Sequence, residues 1–499
     1  MRDITRGDVA RGAGLAGFAR AGALIEALAQ PLFIWLFGLA TYGLYVVLWG
    51  AINFVSNLVD LSMTSALQRI VPAADSEEAA HAAVKLALFV SILPAAFIAG
   101  LVSLNAEAVA ALVSAAPEDR ATLPQAIRLF AWALPLWTFV EVATSAARAR
   151  RAFGPEIRLR IFWEQIARIL FALLFFAAGF RNIGLMAAHL ASLALTAALC
   201  VPLLGRYYDL RLILRARIGG GMARLLLGSG LALLPANLSR RLLIDAPPVI
   251  LNLMLPGTRG AVAAGLFEIA RKISTIPLVV RQAFQYVMAP LSSAQARADR
   301  AAIGPLYRFA SRVSTALVVP LAGLLVFAGA DILSVYRPEA AAALPLLYVL
   351  VTARAAEAVV GPATPIVEMT GHRILPLVNS LVGVALWALI AAWLVPAMGA
   401  LGMAFAVGAA TIAVAYAATL ELRLSDNLTP FDRKLFLGLA VALAGVGLMA
   451  LAENWTRGPL RFGLVLALWM ATSWCALRLG LQRADREAMG GFARRMRLV

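Results

Sequence analysis

Sixteen ionisable side chains lie within or beside long apolar runs of the sequence. In such surroundings, carboxylates can bind protons or cations, while guanidinium and ammonium groups can bind anions. Exposing each of them to lipid would cost about 2.5–3.5 kcal/mol, so most should face the protein interior or water. The sixteen are Arg20, Glu26, Asp60, Arg128, Glu141, Glu164, Arg168, Arg240, Arg241, Asp245, Glu268, Arg271, Lys272, Arg281, Arg354 and Glu357.

Four of the apolar runs carry polar residues along one helical face. Side chains that recur every three or four residues share a face of a helix, so these stripes predict a water-filled cavity between helices. The stripes comprise Asn53, Ser56, Asn57, Asp60 and Thr64; Asn237, Arg240 and Arg241, with Asp245 one turn later; Glu268, Arg271, Lys272, Thr275, Gln282 and Tyr286; and Arg354, Glu357, Gly361, Thr364 and Glu368.

The seventh and eighth apolar runs together hold more cations than anions. Four cations stand against Asp245 and Glu268, and cations at membrane depth bind phosphate oxygens strongly. We therefore interpret these cations, with three asparagines and two further arginines, as the binding residues for an anionic substrate. The predicted substrate-binding residues are Arg240, Arg241, Arg271, Lys272, Arg20, Arg354, Asn237, Asn53 and Asn57.

The spacing of three charged pairs leaves a structural interpretation open. Arg241–Asp245 and Glu164–Arg168 are i,i+4 pairs, and Arg354–Glu357 is an i,i+3 pair, so each pair could neutralise itself on one helix. The carboxyl groups are alternatively sites where a proton or cation couples to transport. The candidates for that role are Glu26, Asp60, Glu141, Asp245, Glu268 and Glu357.

No residue pattern indicates a catalytic or metal centre. His81, His189 and His372 are dispersed without ligand spacing. The sequence has no nucleotide-binding loop, so we expect no cofactor and no direct use of ATP. A proton or sodium gradient is the predicted energy source.

The composition determines the elements that must position these residues. The chain has 499 residues, of which 62% are hydrophobic and 14% charged, and its mean hydropathy is +0.84. A soluble domain is nearer half apolar and a quarter charged, so this is an all-α integral membrane protein. Fourteen spans are predicted, at 14–38, 42–64, 80–102, 124–146, 160–180, 183–204, 224–254, 260–290, 306–330, 340–368, 375–395, 398–420, 434–452 and 460–480.

The net charge of +17 follows largely from membrane topology. With both termini in the cytoplasm, basic residues concentrate in the inner segments, including loops 148–160 and 205–224, as the positive-inside rule requires. A nucleic-acid partner is not needed to explain them. The predicted outer loops hold only Arg120, Arg181, Arg259, Arg337, Arg457 and Arg461.

A faint internal repeat suggests two six-helix halves. Tyr42-Gly43-Leu44-Tyr45 in the second span has a counterpart in Ala264-Gly265-Leu266-Phe267 in the eighth. Transporters often place the substrate site between duplicated halves. We therefore expect an N-terminal half at 1–215, a C-terminal half at 216–425, a central cavity between these two bundles, and two appended helices with a basic tail at 426–499.

These motifs resemble the polysaccharide-transporter branch of the multidrug/oligosaccharidyl-lipid/polysaccharide (MOP) flippase superfamily. The resemblance rests on Gly43-Leu44-Tyr45, Asp60-Leu61, Arg69-Ile70-Val71-Pro72 and the run from Gly265 to Lys272, and it covers nearly the whole chain. The usual aspartate-leucine-glycine ending of the second span reads Asp60-Leu61-Ser62 here. The two appended spans argue against the twelve-span drug-exporting branch.

The resemblance implies a flippase for polyprenyl-pyrophosphate-linked oligosaccharide repeat units in O-antigen, capsule or exopolysaccharide synthesis. It implies a monomer in the bacterial inner membrane, together with membrane lipids and, as partners, a polysaccharide polymerase and glycosyltransferases. Lipid II flippases of peptidoglycan synthesis are an alternative. A membrane glycosyltransferase, polymerase or ligase is disfavoured because the longest predicted outer loop, 103–123, has only Glu107, Glu118 and Asp119 as acids.

Overall fold

The structure is a computed structural model that describes residues 28–152, 154, 157–278, 303–369, 374–456, 458–489 and 491–497. Every regular element in these ranges is helical. The α-helices are α1 Leu28–Phe37, α2 Leu39–Val59, α3 Met63–Ile70, α4 Glu77–Leu104, α5 Ala106–Leu112, α6 Pro117–Arg120, α7 Leu123–Phe130, α8 Ala133–Ala149, α9 Glu164–Ala177, α10 Gly184–Tyr207, α11 Leu210–Arg215, α12 Gly220–Met254, α13 Thr258–Ser274, α14 Ile303–Phe327, α15 Gly329–Leu333, α16 Leu344–Val359, α17 Ala363–Met369, α18 Leu375–Met398, α19 Ala400–Asp426, α20 Arg433–Trp455, α21 Gly458–Gly480, α22 Arg483–Ala488 and α23 Gly491–Arg495. Short 3-10 segments cover Val71–Ala73 and Pro338–Ala343, and a π-helix covers Ile157–Trp163.

Eleven helical segments are long and apolar enough to cross a membrane. They lie at eleven of the fourteen predicted spans, and their bounds differ from the predicted ones by at most about six residues except at 340–368, where the helix ends at Val359. Of the three other predicted spans, 160–180 coincides with the helical segment Ile157–Ala177, while 14–38 and 260–290 are described only in part, with helices at Leu28–Phe37 and Thr258–Ser274. The all-α, multi-pass membrane architecture is therefore confirmed.

Among the described residues, four predicted spans are not continuous helices, and in the eighth the helix ends at Ser274 before a turn at 275–277. The second span stops at Val59 and restarts at Met63, because Leu61 and Ser62 adopt positive φ angles of 47° and 59°. The tenth stops at Val359, where Gly361 has a φ of +65° and Pro362 follows without a backbone N–H. The fourth is interrupted by a turn between α7 and α8. In the second and tenth spans, the interruption divides the predicted polar stripe between two helices.

The described residues form two compact units, with the boundary inside α13 at 268/269. In the N-terminal unit, residues 28–268, α8 packs against α2, α3, α4 and α10, and α12 packs against α2. Buried residues of α3, α4, α8 and α10, including Leu67, Val84, Val140 and Cys200, form its main apolar cluster.

In the C-terminal unit, which starts at residue 269, α14 packs against α16, α20 and α21, while α18 pairs with α19. Arg312 on α14 is buried and forms ion pairs with Asp432, which caps α20, and with Asp485 on α22. The two appended helices are thereby joined to the core of this unit. The three-part division at 215/216 and 425/426 stays a prediction.

Candidate functional site

The interruption of the second span places Asp60 in the interior of the N-terminal unit. Its side chain is only 7% exposed. One carboxylate oxygen accepts hydrogen bonds from the Thr64 hydroxyl at 2.9 Å and the Thr64 N–H at 3.4 Å, and the other accepts from the Ser91 hydroxyl at 3.1 Å. Asp60 therefore provides hydrogen-bond acceptors at the start of α3, where the interruption leaves backbone N–H groups without helical partners.

Helix α12 crosses this interruption at very short range. A Cβ on Gly230 would lie 2.4 Å from the Leu61 carbonyl oxygen, so only glycine lets the two backbones approach so closely. Seven residues later, the Asn237 amide donates to the Ser62 hydroxyl at 3.1 Å. The Arg240 guanidinium in turn donates to the Asn237 side-chain oxygen at 2.7 Å.

We call the group of Asp60, Ser62, Thr64, Ser91, Asn237 and Arg240 the break site. The structure thus brings together predicted residues from two different stripes, Asp60 from the second span and Asn237 and Arg240 from the seventh. Arg240 is the most exposed member, whereas Asp60 is buried. The site therefore combines an accessible cation with an enclosed carboxylate, an arrangement suited to an anionic ligand and a small cation or proton.

A second carboxyl group lies near the break site. Glu141 on α8 interacts electrostatically with Asp60 and forms an ion pair of 2.8 Å with Arg160. Arg160 also stacks over the Trp137 ring at 4.5 Å. Glu141, which the sequence presents as an isolated acid, therefore has a cationic partner from the π-helical segment before α9.

The two predicted asparagines of α2 do not bond to the break site in the described contacts. Asn57 donates its amide to the Asn53 carbonyl on the same helix at 2.7 Å. Ser56, on the same predicted stripe, is buried and hydrogen-bonds to Thr138 of α8 at 3.0 Å. Part of the stripe therefore forms a contact between α2 and α8. Both asparagines are half-buried.

A buried polar cluster that sequence reasoning missed lies in the same unit. Glu164 and Arg168 form the predicted i,i+4 ion pair of α9, and both are almost fully buried. The Tyr45 hydroxyl lies 3.3 Å from Arg168 Nη1 and 3.0 Å from His189 Nδ1, and His189 Nε2 lies 3.8 Å from Glu164. His189 is fully buried against the Trp49 ring, with centroids 4.1 Å apart.

We call Tyr45, Glu164, Arg168 and His189 the buried quartet. The Glu164–Arg168 spacing was the one signal available in the sequence. The participation of Tyr45 and His189 in the buried quartet could not be predicted from the sequence, because they lie on α2 and α10 and contact α9 only in the folded unit.

The remaining predicted residues divide between the two units. Arg241 and Asp245 on α12 are half-buried. The backbone of Asp245 lies close to α2, because a Cβ on Gly50 would be 2.8 Å from the Asp245 carbonyl oxygen. On α13, Glu268 is buried in the N-terminal unit, while Arg271 and Lys272 are half-buried and belong to the C-terminal unit. A joint anion site of Arg240, Arg241, Arg271 and Lys272 stays a prediction.

In the C-terminal unit, Arg354 and Glu357 form the predicted i,i+3 ion pair at 2.9 Å. The interruption after Val359 ends their helix, so Gly361, Thr364 and Glu368 do not continue the stripe on α16. Two predicted residues, Arg20 and Glu26, lie outside the described residues, as do Arg281, Gln282 and Tyr286. Among the described residues, no three His, Cys, Asp or Glu side chains are grouped to hold a metal ion.

Solved structures with the same arrangement of helices belong to the MOP superfamily. A lipid II flippase, MurJ, in an inward closed conformation matches with a TM-score of 0.73 at 12% identity, over 93% of this chain and 97% of that one. An inward-facing multidrug resistance MATE family transporter of the superfamily gives 0.65 at 14% identity, over 81% and 97%. A MOP superfamily transporter from Pyrococcus furiosus gives 0.61 at 14% identity, over 83% and 94%.

These likenesses establish a MOP-like fold. No protein-family model matches the sequence, and no curated protein matches it significantly.

Proposed function

We propose that this chain is a transporter, specifically a flippase that moves polyprenyl-pyrophosphate-linked oligosaccharide repeat units across the membrane by alternating access. The observation that carries the proposal is the shared fold with a lipid II flippase over 93% of the chain. Two multidrug or MOP transporters match over 81% and 83%. The match to the lipid II flippase covers more of this chain than the two other matches do, and this supports a lipid-linked substrate.

The chemistry of the break site agrees with this proposal. A pyrophosphate and its sugars can cross the hydrocarbon layer only if their charges and hydroxyl groups find partners. Arg240 offers a guanidinium for phosphate oxygens, and Asn237 offers an amide that already bonds to both Arg240 and Ser62. Arg241, Arg271, Lys272, Arg20 and Arg354 would supply further cations along the path, and Asn53 and Asn57 further amides.

In this proposal a proton or sodium gradient drives the cycle, and no cofactor takes part. Asp60 is the leading coupling residue, because it is enclosed next to the turn at Ser62, which Asn237 links to the more accessible Arg240. Glu26, Glu141, Asp245, Glu268 and Glu357 are the other candidates.

We place the protein in the bacterial inner membrane with both termini in the cytoplasm. It would act as a monomer beside glycosyltransferases, which build the repeat unit, and a polymerase, which consumes it.

A lipid II-type peptidoglycan precursor is the second candidate substrate. The observation that favours it is the named substrate of the similar flippase MurJ. Both substrates present a pyrophosphate, so the choice depends on contacts with the sugars.

Reconstitution tests the function and separates the candidates. The full chain would be placed in vesicles with fluorescent undecaprenyl-pyrophosphate-linked oligosaccharide or with lipid II, and an imposed proton or sodium gradient. We expect the oligosaccharide lipid to become protected from a membrane-impermeant glycosidase. Protection of lipid II alone would select the second candidate, new glycosidic bonds would indicate an enzyme, and no movement of either lipid would overturn the proposal.

Substitution of the predicted cations tests the binding residues. Arg240→Ala should weaken binding of the oligosaccharide lipid by about 1.5–3 kcal/mol, because a charge-assisted hydrogen bond is lost. Arg240→Lys should restore binding in part, since the charge survives without the bidentate fork. Unchanged binding by a stably folded Arg240→Ala, Arg271→Ala double variant would contradict the cationic site.

A further inference from the structure

The link between α10 and α12, together with the adjoining helix ends (residues 206–224), has an unusual combination of exposed groups. Five arginines are exposed, namely Arg206, Arg211, Arg215, Arg217 and Arg224. Asp209 is the only acidic residue in 206–224, so the segment carries a net charge of about +4 at neutral pH. Leu210, Leu214 and Ile218 are exposed as well, Leu214 to 72%. Arginines and large apolar side chains thus project from one short segment.

Helix α11 gives these residues a defined direction. Ile213 is buried, whereas Leu210 and Leu214, which are four residues apart and share a neighbouring face of the helix, are exposed. Arg211 and Arg215 repeat the same spacing and flank the leucines. The outward side of α11 therefore presents an apolar strip with a row of guanidinium groups beside it, which is the pattern of a helix that lies in a membrane interface.

The segment is held firmly against the N-terminal unit. Lys85 on α4 donates to the carbonyls of Leu214 at 2.7 Å and Ala216 at 3.0 Å. Asp209 caps α11 by accepting from the N–H groups of Arg211 and Leu212, and its own N–H donates to His81 Nε2 at 3.0 Å. These backbone hydrogen bonds lower the pKa of the Asp209 carboxyl, so at neutral pH it is ionised and caps α11.

The position of the segment between two membrane spans indicates that lipid headgroups are its partner. It connects Tyr207, the end of α10, to Gly220, the start of α12, and both helices are long and apolar enough to span a membrane. A twelve-residue link between two spans stays at the bilayer surface, where the effective concentration of lipid headgroups is very high. Anionic headgroups complement the exposed arginines, and the acyl region accommodates the exposed leucines.

We propose that residues 206–224 form a docking surface for anionic phospholipids, with α11 lying in the headgroup layer. Arg211, Arg215 and Arg217 contact phosphate groups, while Leu210 and Leu214 enter the acyl boundary. Because Lys85 and His81 fix this surface to α4, bound anionic lipid would stabilise the link between α10 and α12. The proposal does not depend on the substrate of the transporter.

Lipid titration of the full chain tests the charged part of the surface. The protein in neutral detergent would be titrated with dioleoylphosphatidylglycerol or dioleoylphosphatidylcholine, and bound lipid counted by native mass spectrometry. The affinity for phosphatidylglycerol should fall about fivefold for each arginine removed. For the triple variant Arg211→Gln, Arg215→Gln, Arg217→Gln, the loss should be on the order of 100-fold, with binding of phosphatidylcholine unchanged.

The matched control removes the same charge elsewhere. The triple variant Arg494→Gln, Arg495→Gln, Arg497→Gln alters three exposed arginines of the C-terminal segment. It should keep the phosphatidylglycerol affinity of the unaltered protein. Equal losses in both triple variants, or no loss in the first, would overturn the proposal.

A spin label tests the apolar part independently of charge. A nitroxide on Leu214→Cys, in a Cys475→Ala background with the buried Cys200 retained, reports its depth through collisions with oxygen and with a water-soluble nickel complex. In vesicles that contain phosphatidylglycerol, the label should be more accessible to oxygen than to nickel. A label that remains fully accessible to nickel would contradict the insertion of α11.

Discussion

Asp60 illustrates how one carboxyl group can join a structural task to a functional one. It accepts hydrogen bonds from Thr64 and Ser91 at a point where the second span loses its helical backbone bonds. It is also the enclosed acid of the break site, connected through the turn at Ser62 to Asn237 and Arg240. A change that keeps the shape of Asp60 but removes its charge separates these two tasks.

Asp60→Asn should therefore slow gradient-driven transport while leaving the fold and substrate binding largely intact. The carboxamide oxygen still accepts from Thr64 and its NH2 group can donate to the Ser91 hydroxyl, but the side chain cannot take up a proton or hold a cation as the carboxylate does. We expect a decrease of about tenfold or more, equivalent to at least about 1.4 kcal/mol in the barrier. Gradient-driven transport in reconstituted vesicles measures the effect.

The matched control for Asp60 is Ser56→Ala, which removes a buried hydrogen bond between the same span and Thr138 without changing any charge. It should lower the free energy of unfolding by about 1–2 kcal/mol and leave coupling intact. Equal transport by the Asn variant and the unaltered protein, at matched folded amounts, would remove Asp60 from the coupling proposal.

The buried quartet gives a prediction about stability. Glu164→Gln removes a negative partner of Arg168 from an almost fully buried ion pair. Such a change typically costs about 3–5 kcal/mol of folding free energy. Thermal unfolding of the purified variant would show it as a large decrease in Tm.

A comparable pair on the surface provides the control for Glu164. Arg483 and Glu487 form an i,i+4 ion pair with side chains that are 85% and 53% exposed. Glu487→Gln should change stability by less than about 1 kcal/mol, because water already solvates both charges. Similar Tm values for the two variants would mean that Glu164 does not stabilise the buried quartet.

At the scale of elements, the close crossing of α2 and α13 explains the repeated glycine motifs. A Cβ on Gly43 would lie 1.8 Å from the Ala261 carbonyl oxygen and 3.0 Å from the Gly265 N. The glycines of Gly43-Leu44-Tyr45 and Gly265-Leu266-Phe267 therefore face each other across one helix contact. Small residues at such contacts let membrane helices approach to backbone distance.

Gly43→Ala should prevent this approach, because the added methyl group meets a carbonyl oxygen that belongs to a helix backbone. We expect a strong loss of folded protein, measured as the monodisperse fraction in size-exclusion chromatography. The control is Gly100→Ala on α4, where a Cβ would meet nothing within 4 Å. That change should be neutral or stabilising by about 0.5–1 kcal/mol, as expected for glycine replaced within a helix. Normal folding of Gly43→Ala would contradict the tight crossing.

At the scale of the whole molecule, the distribution of basic residues predicts the orientation in the membrane. The basic loops 148–160 and 205–224 should lie in the cytoplasm, and the acidic segment 103–123 should lie outside. In intact cells, a membrane-impermeant thiol reagent should therefore not label Arg215→Cys but should label Glu118→Cys. Both positions are exposed, and the Cys475→Ala background removes the half-buried native thiol. Labelling of residue 215 from outside would reverse the topology.

The sequence alone determined the class of the protein and the positions of its spans. Each membrane helix must satisfy its backbone internally and present about 20 mostly apolar residues, so it can be identified from local composition without knowledge of its neighbours. The i,i+4 pair Glu164–Arg168 and the i,i+3 pair Arg354–Glu357 were accessible for the same reason, since one helix holds both partners.

Tertiary structure alone decided what lies between the helices. The polar stripe of the second span predicts a continuous face, yet Leu61 and Ser62 take left-handed angles where Gly230 of α12 crosses them. The dispersed His189 became a partner of Tyr45 because α2 and α10 are both packed in one unit. Such contacts join residues more than a hundred positions apart, and their energies depend on which helices pack together. A pattern that is local to one helix carries no information about that choice.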